Sequence, residues 1–300
     1  MGEAAGRERP PWRCTVAVQA ALCLALYAAF SLGEPQLIPR GGGAGGVDAL
    51  GRGARGGGGV AFLSVAGGAR GPIEKARLLR QMETIAKVYE VKFVLDVAQL
   101  GEDDPLWQNG SMYFQALNIP CSMVRCTAQG YSTKSSHGRR VGNFMKKVKM
   151  PYDQVLDIIG LNTRALQEPL HDGKISTSYR GQIKWLDQSL ALTDSNWKIV
   201  VGYNPLLVCN GEETPETTKL SLPIQRIFAK YEVNAYISMG GFCGYFHRDN
   251  SILYIGHPSQ TSVDGFFVHR VRPLEMESML INVEGKLVQR SVVQQHGTGA

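Results

Sequence analysis

The chain has no Gly-x-Ser-x-Gly elbow, and its glycine clusters lack the lysine and spacing of a phosphate-binding P-loop. Neither serine-hydrolase chemistry nor P-loop nucleotide hydrolysis is indicated. Cysteine is scarce, with six in 300 residues. No two cysteines have the tight two-residue spacing that makes a zinc site a strong reading. Cys121, Cys126, Cys209 and Cys243 can be drawn as such a site. One disulfide, or free buried thiols, is the simpler account in an oxidising compartment. Two further absences shape the rest: Thr15 to Leu32 carries no charged residue, and Pro105 to Tyr152 carries no Asp or Glu.

The uncharged stretch is dominated by Ala, Leu and Val. As a helix it would span roughly 27 Å, close to the hydrocarbon thickness of a bilayer. Arg7, Arg9 and Arg13 precede it and Glu34 follows, so the amino end is expected to stay cytoplasmic. The expected layout is a basic tail (1–14), a signal anchor (15–32), a glycine-rich linker (33–59) and a domain (60–296). The domain would then be lumenal or extracellular. A cleaved signal peptide, giving a secreted domain, is the alternative, and an organellar transit peptide a more distant one. Gly41 to Gly59 is mostly glycine with Arg52, Arg55 and one acid, Asp48, and Arg40 just before it, too poor in apolar surface to pack. It is short and lacks aromatics, so specific nucleic-acid binding is not expected. In a lumenal domain Asn109-Gly110-Ser111 is a glycosylation sequon.

The net charge of +6 and 44% hydrophobic content suit a single globular domain of about 230 residues plus a tail. Val60–Val65 reads as a strand, Ile73–Tyr89 as a helix with Pro72 before it, and Val91–Val97 as the next strand. That βαβ unit implies a parallel sheet with a right-handed crossover. Further strands are expected over 119–126 and 156–163. A helix over 181–192 feeds a short apolar strand, Ile199–Val201, which ends at Gly202. A helix over 222–231, with Pro223 in its first turn, leads to a strand over 233–238. The last segments (251–256, 265–272, 279–283 and 287–293) are rich in β formers, with Glu284-Gly285 as a hairpin turn.

Gly181-Gln-Ile-Lys-Trp-Leu-Asp187 followed by Trp197-Lys-Ile-Val-Val-Gly-Tyr-Asn-Pro205 resembles the purple acid phosphatase branch of the calcineurin-like metallophosphoesterases. The resemblance runs over about residues 60–293. It implies a four-layer α/β/β/α sandwich, preceded here by the transmembrane helix. It also implies a dinuclear iron, zinc or manganese centre. Carried over position by position, the family's metal ligands fall on Gly67, Gln99, Glu102, Cys126, Tyr203, Gly240 and Phe242. Asn162 also stands where the family has an aspartate.

A two-metal phosphoesterase needs a cluster of oxygen and imidazole donors to hold its ions. Of these positions only Glu102 keeps a strong one. The expectation is therefore a fold kept after its cofactors and catalytic residues were lost, acting as a membrane-anchored binding or regulatory relative. The alternative is an acid-phosphatase-like phosphomonoester hydrolase using Glu102, His247, Asp249 and His257 as substitute ligands. The acid-free stretch contains Arg139, Arg140, Lys146, Lys147 and Lys149. These are candidates for a phosphorylated or acidic ligand, with a solvated surface loop as the plainer reading. Neither the natural ligand nor the oligomeric state is legible from the sequence.

Overall fold

The computed structural model describes residues 16, 18–24, 58–98, 104–106, 119, 121–125, 143–163, 176–207, 215–240, 244–249, 251–258 and 264–295. The chain divides into two compact units, Met1–Ala44 and Gly45–Ala300. In the first, residues 16 and 18–24 are helical and exposed. The remainder of the expected span Thr15–Leu32 lies outside the described residues. Among the described residues, no helix is long and apolar enough to cross a membrane.

The second unit holds two six-stranded sheets. The first comprises β1 (Val60–Ala66), β2 (Phe93–Ala98), β3 (Cys121–Arg125), β10 (Gly265–Val271), β11 (Glu275–Asn282) and β12 (Leu287–Gln294), in the order β12-β11-β10-β1-β2-β3. The second comprises β4 (Phe144–Lys149), β5 (Val155–Leu161), β6 (Trp197–Gly202), β7 (Ala235–Met239), β8 (Phe246–Asp249) and β9 (Ile252–His257), in the order β4-β5-β6-β7-β9-β8. Strands β1, β2 and β3 run parallel, as do β5, β6, β7 and β9. The antiparallel partners sit at the flanks. Helix α1 (Pro72–Val88) covers the first sheet; α2 (Thr177–Ala191) and α3 (Pro215–Lys230) cover the second.

The four layers follow from the period of two in the strands. In β1, Val60 and Phe62 enter the core between the sheets, while Ala61, Leu63 and Val65 pack under α1. In β6, Trp197, Ile199 and Val201 face the inter-sheet core, and Val200 faces α2 and α3. Burial on both faces is why these strands read as continuous apolar runs. Each such side chain contributes about 1.5–3 kcal/mol.

Several boundaries depart from the sequence reading. Helix α2 begins earlier, where Ser176 caps it by accepting from the Tyr179 amide at 3.1 Å. Helix α3 begins at Pro215, leaving Pro223 inside it. An internal proline removes one helical hydrogen bond and crowds the preceding turn, at a cost of about 3 kcal/mol. Burial of Ile224, Ile227 and Phe228 just after it offsets that cost. Ile73, expected on the buried stripe of α1, is 76% exposed.

The basic segment also forms β4, an edge strand, instead of continuing as a loop. Phe144 and Val148 alternate onto the inter-sheet core, and any Cβ at residue 160 would strike the Phe144 ring. His247 and Asp249 likewise lie on a strand, β8. The β11–β12 turn is as expected, with Gly285 at φ +77°.

Candidate functional site at the carboxyl ends of the strands

In open α/β sheets the loops beyond the carboxyl ends of parallel strands carry the chemistry. Here those loops are tied to one another. The Asn204 amide donates to Thr163 Oγ1 at 2.9 Å, and its side chain donates to the Thr163 carbonyl at 3.2 Å. Tyr236 Oη donates to the Asn204 carbonyl at 2.6 Å. The Met239 amide donates to the Tyr203 carbonyl, and the Gly240 amide to the His257 carbonyl, both at 2.9 Å. The Asn162 amide donates to Asn143 Oδ1 at 2.9 Å. The loop that reads Gly-Tyr-Asn-Pro is thus a hydrogen-bonded brace across β5, β6 and β7.

Gly67 is the most constrained of the expected ligand positions. An added Cβ would overlap the Ala98 Cβ and lie 2.6 Å from Asp104 Oδ2. Asp104 is 1% exposed and accepts from the Gly68 amide at 2.8 Å and from the Leu106 amide at 2.9 Å. Its carboxylate fills the space a ligand side chain at residue 67 would need. Gly240 has open space around it but sits at φ +59°. Gln99, Glu102, Cys126 and Phe242 lie outside the described residues, as do Asn109, Arg139 and Arg140.

The substitute set does not converge among the described residues. His247 pairs with Tyr254 and Asp249 with Ile252 across β8–β9, so both face the helix layer. His257 faces the opposite side of that sheet, on Ser64 Oγ at 2.9 Å. No group of three or more His, Cys, Asp or Glu among the described residues could hold a metal ion. Gly67, Tyr203 and Gly240 offer no carboxylate or imidazole, so what is described of this site does not fit a dinuclear centre.

The lysines of the basic segment separate by strand alternation. Lys146 reaches the Phe93 ring, with Nζ 4.2 Å from its centroid. Lys147 lies on the other face, 3.6 Å from Asp194, in an exposed pair worth little. Lys149 shares that exposed face.

Two buried polar clusters were not anticipated. The first runs between the sheets. Ser278 Oγ lies 2.9 Å from His269 Nδ1, His269 Nε2 lies 2.8 Å from Ser64 Oγ, and His257 Nε2 completes the chain. His257 Nδ1 has no partner. Burial, with the nearby Arg70 charge, pushes His257 down to about 3. Burial and then His257 push His269 well below the usual imidazole range.

The second cluster surrounds Arg70, whose side chain is 3% exposed and whose Nε donates to Asp264 Oδ1 at 3.0 Å. Asp96, on β2, is wholly buried with both carboxyl oxygens unpartnered. Burial raises its pKa well above the usual carboxylate value, Asp104 adds to the rise, and Arg70 opposes it. The available signal was an acid, a serine or a histidine interrupting an otherwise apolar strand, since such groups are seldom buried without cause.

No protein-family profile matches the chain, and no curated protein matches it. Solved structures do. The chain is similar to GAP50, described as the anchor in the inner membrane complex of Plasmodium, at 14% identity and a TM-score of 0.59, over 80% of this chain and 90% of that one. It is also similar to PhoD, at 10% identity over 82% and 72% of the two chains with a TM-score of 0.46. A third likeness is to Vacuolar Protein Sorting 29 from Cryptosporidium parvum, at 12% identity over 79% and 98%, with a TM-score of 0.36. At such identities the likeness is one of fold. The chain has a metallophosphoesterase-type fold, as the resemblance in its sequence implied.

Proposed function

We propose that this is a membrane-anchored protein that uses a metallophosphoesterase-type fold to bind or to regulate, and not to hydrolyse phosphoesters. The observation that carries the reading is at Gly67. There the expected ligand is missing, and Ala98 and the Asp104 carboxylate occupy the space it would need. A second ion-binding edge is missing where Tyr203 and Gly240 serve as backbone hydrogen-bonding posts. Membrane attachment is supported by the uncharged run Thr15–Leu32. The description of GAP50 as an anchor of a membrane complex is consistent with it. On this reading the domain is lumenal or extracellular, and Asn109 is available for glycosylation. Metal analysis of the purified full-length protein tests the proposal: less than one tightly held iron, zinc or manganese ion per chain is expected. Two ions per chain, together with metal-dependent phosphomonoester hydrolysis, would establish the hydrolase reading instead.

The ligand class we favour is a phosphorylated or otherwise acidic group. Lys146 is engaged with Phe93 and Lys147 with Asp194, while Lys149 lies on the exposed face of β4. Arg139 and Arg140 supply two further positive charges to the segment. Binding of inorganic phosphate or a sulfated polymer is expected to be saturable at low salt and to weaken as ionic strength rises. The Arg139→Glu, Arg140→Glu variant should lose it while keeping the wild-type melting temperature. Binding that is absent in the wild type, or unchanged in the variant, overturns the assignment.

A further inference from the structure

A metal centre supplies positive charge at the carboxyl ends of the strands. With metal ligands gone, the acids that remain there still need a counter-charge, because buried carboxylates without one are costly. Asp96, Asp104 and Asp264 all lie at this pole, the first two wholly buried. Arg70 is the buried cation among them. It is fixed by two contacts from Nε to Asp264, at 3.0 and 3.3 Å, and its charge is felt at both Asp96 and His257. It follows Gly67 by three residues and lies just before α1. Its Nη1 is buried and unpartnered.

We propose that the Arg70 guanidinium is a built-in cation that takes the place of the metal centre. It holds Asp264 directly, just before α1, and its charge reaches the buried Asp96 and His257. Arginine suits the role because its charge is permanent and its planar fork can hold a carboxylate while satisfying other acceptors. Asp104 needs less of this help, since the Gly68 and Leu106 amides already hold it. The carboxyl-end loops can then keep their arrangement with no ion bound. Arg70 is a positioning residue in this account, and the inference rests on the metal-free reading above.

A double-mutant cycle on the full-length protein tests it. Arg70→Met leaves Asp264 without its cation and should lower the melting temperature by about 10 °C. Asp264→Asn should lower it by a smaller amount. The double variant should lose clearly less than the sum, because each single change strands the other partner. Arg70→Lys should recover much of the loss. If Arg70→Met gives no folded protein, the same cycle is run with Arg70→Gln, which removes the charge but keeps a polar side chain, and Asp264→Asn. Imidazole resonances add a readout that packing alone would not move: without the Arg70 charge, His257 should protonate at higher pH. A chelator, or added zinc or manganese, should leave the wild-type melting temperature unchanged. Additive losses at Arg70 and Asp264 in a metal-free protein would overturn this inference alone. A saturable rise of about 5 °C with a divalent ion, or two ions per chain, would overturn both it and the proposed function.

Discussion

Restoring an aspartate at residue 67 is expected to cost the protein about 10 °C in melting temperature and to bring in no metal. The new Cβ would overlap the Ala98 Cβ, a one-carbon side chain on a strand that cannot swing aside, and would crowd Asp104 Oδ2 at 2.6 Å. Overpacking of that kind costs about 1–3 kcal/mol. A second buried carboxylate beside Asp104 adds like-charge repulsion and an unsatisfied polar group, for about 1–3 kcal/mol more. In a domain of this size each kcal/mol moves the midpoint by about 2–4 °C.

Gly240→His provides the contrast. Among the described residues beyond its chain neighbours, no atom lies within 4 Å of the added Cβ, and the cost there comes from φ +59°, about 1 kcal/mol. Thermal unfolding and metal content of the two variants check the ranking. Gly67→Asp melting like the wild type, or taking up a stoichiometric ion, would show that the position is still open and would remove the main support for a non-hydrolytic protein.

The fold was largely legible because its strands carry a strong local signal. Ile199–Val201 with Trp197 and Gly202, and Val60–Val65, are apolar on both faces, and a parallel sheet covered on both sides demands that. Of the expected ligand positions, Gly67, Tyr203 and Gly240 fall among the described residues, each at or just beyond the carboxyl end of a strand. Local pattern failed where a tertiary contact decides. Lys147 and Lys149 alternate with apolar Phe144 and Val148, yet the charges masked a strand that the hydrophobic core requires. The internal Pro223 read as a helix start, although its neighbours' burial carries the helix through it.

The site residues missed were polar groups inside apolar strands. Asp96 sits within Phe93–Ala98, and Ser64 and His269 sit in strands otherwise filled by Val, Phe and Leu. Sequence period places them inside but cannot name their partners. Ser64 meets His257 across 193 positions of chain, and Arg70 meets Asp264 across 194. The closing of the two sheets brings the first pair together, and the pairing of β1 with β10 in one sheet brings the second.

Stability should rise as pH climbs towards the ordinary histidine pKa and then stop rising, through an imbalance among three buried groups. His257 and His269 have folded pKa values below the unfolded value, His257 at about 3, after burial and, respectively, the Arg70 charge and the neighbouring imidazole. Their stabilisation is fully present above the unfolded histidine pKa and is lost as pH falls. Below that pKa the unfolded chain takes up about two protons that the folded chain refuses, worth up to about 2.7 kcal/mol per unit. Asp96 works in the opposite sense. Its folded pKa is raised, by burial and then by Asp104, so its contribution is fully present below the unfolded carboxylate pKa and declines as pH rises. Between the unfolded carboxylate pKa and its own raised folded value, it opposes the histidine slope. Above that range the histidine contribution is complete and the Asp96 contribution alone remains.

Asp96→Asn should therefore steepen the acid limb, by at most about 1.4 kcal/mol per unit, and raise stability at pH 8, because the buried carboxyl no longer faces ionisation. Urea midpoints of the wild type and the variant from pH 4 to pH 8 test both parts. A wild-type midpoint independent of pH would contradict neutral burial of the two histidines. An acid limb of equal slope in Asp96→Asn would show that Asp96 is charged in the folded protein. Arg70 would then be paired with it, as well as with Asp264, at ordinary pH.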